Sequence, residues 1–175
     1  MIFKTKVMAK KEKTKGLDKP AKEKTPGTYA DGKDYPKNVV NEAAVAYQSL
    51  YANPINLLTN SKKGLDPKAA LDFLDLSGFS QDEFQETFKT TVKTIQNYGR
   101  NELKLDAALS EKLLKSFALF EKGIELFGSA PSFHNWLNVS AYGLGNQIPF
   151  ELMDTITGIG LIEEELIRLA YGDLA

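Results

Sequence analysis

LDAALSEKLLKSFALFEKGIELFGS, residues 105–129, is the stretch that decides the fold. Leu105, Leu109, Leu113, Leu114, Phe117, Phe120, Ile124 and Phe127 recur near the 3.6-residue period, which predicts one long amphipathic helix. Gly128 ends it, as a glycine just past the last periodic residue does. Such a helix suits a spine linking two halves, or a seam between two copies, and most of its aromatic rings read as core.

Upstream, FSQDEFQETFKTTVKTIQNYGRN (79–101) encodes two short helices. Ser80 with Glu83 three residues on is a capping-box pattern, and Phe84 and Phe88 share a face one turn apart. Thr91 is placed to cap a second helix, Val92 to Tyr98, which Gly99 ends. Ile95 points inward there, while Lys93, Thr94, Gln96 and Asn97 point outward. A tight helix pair whose second member presents polar side chains matches what a helix-turn-helix offers the major groove. Thr91, Lys93, Thr94, Gln96 and Asn97 suit base edges and phosphates, with Lys89 and Arg100 on flanking phosphates. The same pattern also occurs in purely structural helix pairs. Lys89 occupies a turn position that often needs positive φ, where glycine is comfortable, so a differently built turn is open here.

Further upstream, GLDPKAALDFLDLSG (64–78) gives a helix from about Pro67, with Asp66 as N-cap and Ala70, Leu71, Leu74 and Leu76 on its buried side. Residues 54–63 read as a short apolar turn before a break at Gly64. NVVNEAAVAYQSLYAN (38–53) places Val39, Val40, Ala43, Ala44, Ala46, Tyr47 and Leu50 at helical spacings. No useful strand-like alternation and no internal repeat occurs. The fold class is all-α.

The 175 residues, 42% hydrophobic, bound the chain at one helical unit or two small ones. There is no cysteine and only one histidine, His134, which excludes disulfides, Cys-based zinc sites and metal chemistry needing two imidazoles. HExxH, GxSxG and phosphate-loop motifs are absent, and Gly158-Ile-Gly160 is a GxG without a preceding strand, so no catalytic residues, cofactor or metal are expected. No apolar run is long enough for a signal peptide or a membrane span, which reads as a soluble cytoplasmic protein without membrane contact. Net charge is −1, but residues 1–37 hold eleven lysines against five acids. That Pro-containing, aromatic-poor stretch reads as a disordered arm, suited to nucleic acid or simply to solubility. Met8 is an alternative start.

The C-terminal fifty residues carry the most specific pattern. Leu126, Phe127 and Gly128 close the long helix, and a short helix with Trp136 and Leu137 follows. Then come a loop at Leu144-Gly145, a helix start at Pro149-Phe150-Glu151-Leu152, and a last helix ending in Tyr171-Gly172. This resembles the toxin-binding domain of Xre/MbcA/ParS-type antitoxins. Residues 64–100 resemble that family's N-terminal half, with Thr91 to Tyr98 in the recognition-helix position. The likeness covers about residues 53–175. The arm and the helix near residues 39–52 lie outside it; together with the composition, the chain divides into the arm (1–37), a helical Xre-like DNA-binding domain (38–120) and a toxin-binding domain (121–175). Asn146 stands where the family has a second loop glycine, a mild change because asparagine tolerates left-handed backbone.

The resemblance implies a nearby-encoded RES-domain toxin that consumes NAD by hydrolysis, phosphorolysis or ADP-ribosyl transfer. It also implies a homodimeric antitoxin that covers the toxin's NAD pocket and represses its own operator DNA. A cationic pyrophosphate pocket favours an acidic inhibitor, so the tip of Tyr171, Gly172, Asp173, Leu174 and Ala175 is expected to reach it, Asp173 and the terminal carboxylate acting together. Leu161, Ile162, Leu166 and Leu169 form the apolar face of the last helix, packing internally or on the partner, and Glu163, Glu164 and Glu165 add negative charge. Trp136 is an interface anchor or a core residue; His134, on the same helix, caps or hydrogen-bonds. The rival reading is a stand-alone helix-turn-helix regulator without a toxin.

Overall fold

A computed structural model describes residues 45–172; the lysine-rich arm, the start of the first expected helix and the tip 173–175 lie outside the described residues. Every element in this span is helical, and the single bridge, Ala141 to Gln147, closes a loop. Residues 45–51 belong to α1. There follow α2 (Pro54–Lys63), α3 (Lys68–Ser77), α4 (Gln81–Phe88), α5 (Val92–Arg100) and α6 (Ala107–Phe127). The chain continues through α7 (Ala130–Leu137), a 3₁₀ turn (Tyr142–Leu144), α8 (Pro149–Leu152) and α9 (Ile156–Ala170). None of these helices is long and apolar enough to cross a membrane.

The long periodic stretch is the spine. Asp106 caps α6 by accepting from Leu109 N at 2.8 Å, and Gly128 closes it at φ 82°. Leu113, Leu114, Phe117 and Phe120 are fully buried, because α2, α9 and α7 pack around the helix. Where α7 crosses, a Cβ on Gly123 would run into the Phe133 ring, so only glycine permits that approach.

Residues 54–63, expected as a turn, form a full helix. Asn53 Oδ1 accepts from Asn56 N at 2.9 Å, Pro54 takes the first-turn position where its missing N–H costs nothing, and Gly64 ends it at φ 75°. In α3, Asp66 Oδ1 accepts from Lys68 N at 2.8 Å and Pro67 already has helical dihedrals, as the sequence suggests.

One aromatic network crosses the molecule. Phe73 of α3 meets Phe79, Phe88, Phe117 and Phe120 edge-on at 5.2–5.9 Å. Phe79 continues to Phe150 at 5.5 Å and Phe120 to Phe133 at 5.0 Å. Such pairs add about 0.5–1.5 kcal/mol each beyond their burial. The core therefore runs from α3 through α6 to α9 without interruption, and the 120/121 boundary read from sequence falls inside α6.

Candidate functional site

The α4–α5 pair follows its sequence signals closely. Ser80 Oγ accepts from Glu83 N at 3.2 Å while Glu83 Oε2 accepts from Ser80 N at 2.7 Å, completing the capping box. Lys89 closes α4 in the left-handed region at φ 53°, so the turn keeps the geometry usually given to glycine and carries the strain on a lysine. Thr91 Oγ1 accepts from Thr94 N at 3.1 Å and lies 2.9 Å from Thr94 Oγ1, so these two hydroxyls are committed to the helix start. Val92 and Ile95 are buried. Lys93, Gln96, Asn97 and Arg100 are exposed at i, i+3, i+4 and i+7, one outward face. Arg100 donates a long 3.4 Å hydrogen bond to Asn97.

Behind this pair lies a group that sequence reasoning missed. Lys112 of α6 is 8% exposed, and its ammonium donates to the carbonyl of Thr87 in α4 and, at 2.6 Å, to that of Asp154 ahead of α9. It also sits 5.7 Å from the centre of the Phe88 ring. Burial pushes its pKa down to about 8, against the attraction of Asp154. The Asp154 carboxylate lies 3.5 Å from Lys89 Nζ, so the turn after α4 is tied to the loop before α9 twice.

A second tie joins Glu83 to the C-terminal segment: His134 Nε2 is 2.8 Å from Glu83 Oε1. Burial acts to raise the Glu83 pKa, but hydrogen bonds from Ser80 N and His134 outweigh it and the net shift is downward. His134 thus serves as a hydrogen-bonding partner across elements.

The residues read as toxin-binding separate by depth. Trp136 is half-buried in an aromatic ladder, 5.4 Å from Phe127 and 5.8 Å from Phe133. Leu166 is buried and Leu169 partly so, both packed on the core. Tyr171 is 86% exposed, and Gly172 beyond it has φ 71°. Asp173, Leu174 and Ala175 lie outside the described residues. Leu161, grouped by sequence with the inward residues, is exposed, as is Ile167, whereas Ile162 is buried. Glu165 is buried rather than solvated: its carboxylate meets Arg168 at 2.6 Å, and a Cβ on Gly143 would collide with it. The loop at Gly145-Asn146 has both residues left-handed, φ 69° and 63°, which accounts for asparagine there. Among the described residues no cluster of His, Asp and Glu is placed to hold a metal ion.

The C-terminal segment thus combines a closing glycine, a tryptophan helix, a left-handed loop and a final capped helix. Residues 122–172 match the family model described as the antitoxin Xre/MbcA/ParS C-terminal toxin-binding domain. No curated protein matches the chain.

Proposed function

We propose that this chain is the cytoplasmic antitoxin of a toxin–antitoxin pair: it binds a RES-domain, NAD-consuming toxin, covers its active site and acts by binding rather than catalysis. The match of residues 122–172 to a toxin-binding domain carries this reading. The exposed Tyr171 and Gly172 support placing the toxin contact at the end of α9, with Asp173, Leu174 and Ala175 continuing into the cationic pocket. Leu166 and Leu169 pack the end of α9 onto the core beneath that surface, and Trp136 packs on Phe127 and Phe133. Co-expression with the adjacent gene product, which this reading expects to be a RES-type protein, and purification through one tag tests it. A stable complex that suppresses NAD loss is expected; antitoxin recovered free of toxin refutes it.

The second part of the proposal is autoregulation, with the chain as a homodimer on operator DNA. The outward face of Lys93, Gln96, Asn97 and Arg100 supports it, with Lys89 and Thr91 at the turn. Thr94, tied to Thr91, positions the helix start. A promoter-fragment shift assay over a salt series should give a complex that weakens steeply with salt, since neutralising phosphates releases counterions. Absence of any salt-sensitive complex refutes this part and leaves the toxin part standing.

A further inference from the structure

Helix α9 has two faces with opposite demands. Gly158, Ile159, Ile162, Glu165 and Leu166 are buried. On the other side Ile156, Gly160, Glu164, Ile167 and Tyr171 follow at intervals of four, four, three and four, a single stripe along the helix. Ile167 is 44% exposed and Tyr171 86%, two of the five exposed large apolar side chains in the matched segment. A cavity of about 340 Å³ opens beside them, lined by Leu126, Leu166, Ile167, Ala170 and Tyr171 with Lys122 and Glu125 at its charged side.

Gly160 is the informative residue. A Cβ on Gly158 would strike the Leu152 carbonyl, so that glycine is required by the fold; a Cβ on Gly160 would meet nothing. A glycine inside a helix costs about 1 kcal/mol relative to alanine, and among the described residues no contact calls for it. Bare helix backbone between Ile156, Glu164 and Ile167 suits close approach by another molecule.

The charge pattern selects the occupant. Glu163 and Glu164 sit at the midpoint of the stripe; Glu163 pairs with Lys122, while Glu164 is exposed without an ion-pair partner among the described residues. A two-fold contact between copies along this stripe would set Glu164 against its own counterpart, which is unfavourable. A partner with an apolar surface and a cation opposite Glu164 fits instead. We propose that the toxin docks on this stripe, seating against Gly160 between Ile156 and Ile167, with Tyr171 as the anchor and Glu164 facing a toxin cation. This rests on the antitoxin reading above and names the surface it uses.

The test uses the full chain and the RES protein encoded beside it. Gly160→Phe adds a ring to open space and should melt within about 2 °C of the parent, as surface substitutions generally do, whereas Ile167→Asp loses a partly covered apolar side chain and adds an acid near Glu163 and Glu164, so it should melt about 2–4 °C lower while remaining folded. Titration of the RES protein should show at least tenfold weaker binding for each, and Tyr171→Ala should do the same. Parent-like toxin binding by stable Gly160→Phe and Ile167→Asp variants overturns the stripe while the antitoxin reading stands. A parent chain that binds no RES protein overturns both. Unchanged toxin binding with a changed oligomeric state in light scattering also overturns the proposal, by assigning the stripe to a contact between copies.

Discussion

Lys112→Met separates two opposing effects of a buried cation. Burying the ammonium costs free energy, and replacing buried ions with apolar side chains often stabilises a protein. Here, however, the ammonium donates to the carbonyls of Thr87 and Asp154, and methionine would leave both without that donor. A buried carbonyl that loses its partner costs about 1–3 kcal/mol. Two of them outweigh the relief of desolvation, so the variant should be less stable at pH 7 by about 1–3 kcal/mol. The pH dependence has its own sign. The folded-state pKa of about 8 lies below the ordinary 10.5, so between these values the unfolded chain binds more protons and stability rises with pH. The full gap corresponds to about 3 kcal/mol, and screening at a site near the surface reduces it to about 1–2 kcal/mol. Urea melts of parent and variant at pH 7, 8, 9 and 10 measure both quantities. The parent should gain stability above pH 8 more steeply than the variant. A methionine variant as stable as the parent at pH 7 would show that the two hydrogen bonds do not hold this lysine, and one with the same slope would show that burial does not lower its pKa.

Two further outcomes follow from the ties across the molecule. Lys89→Gly relieves left-handed strain of about 1 kcal/mol and loses an exposed ion pair worth less than about 1 kcal/mol. Its melting temperature should hold or rise while the salt slope of operator binding falls by about one phosphate contact; a lower melting temperature, or an unchanged slope, counts against the turn geometry or the phosphate contact respectively. Glu83→Gln keeps an N3 amide for the capping box but removes the charge beside His134. Because the Glu83 pKa is lowered, its contribution is present above the ordinary carboxylate value and lost as pH falls through the folded one. The parent should therefore lose about 1 kcal/mol more than the variant on acidification from pH 6 to pH 3, and parallel acid melts would refute the contact.

Local signals were legible because they are local: the α6 period, the Ser80–Glu83 box, the Thr91 cap, the Gly128 stop and the left-handed Asn146 each depend on neighbours within a few residues. Helix α2 was not legible, since Pro54–Lys63 carries polar Asn, Thr, Ser and Lys side chains and only its contact with α6 makes it worth ordering. Phe73, at the centre of the aromatic network, sits beside Leu71 and Leu74 in a helix whose exact buried arc only packing defines. Lys112 was the hardest, because a lysine on a helix is ordinarily solvated, and its carbonyl partners lie 25 and 42 residues away in sequence. On α9, apolar residues occur on both faces, so Leu161 could not be separated from Ile162 and Leu166 before the core was known.

The uninterrupted core has a consequence for the lifetime of the protein. Phe73, Phe79, Phe120 and Phe133 lie in one network, and a small domain with one continuous core is expected to unfold as a unit, α5 and the matched segment together in one equilibrium. A ligand held by α9 at a hundred times its Kd adds about 2.7 kcal/mol to that equilibrium, which lowers the open fraction of the whole chain about a hundredfold. Proteases that cut only the opened chain would then remove the unoccupied protein about a hundred times faster than the occupied one, so partner occupancy at one end sets how long the helix pair at the other survives.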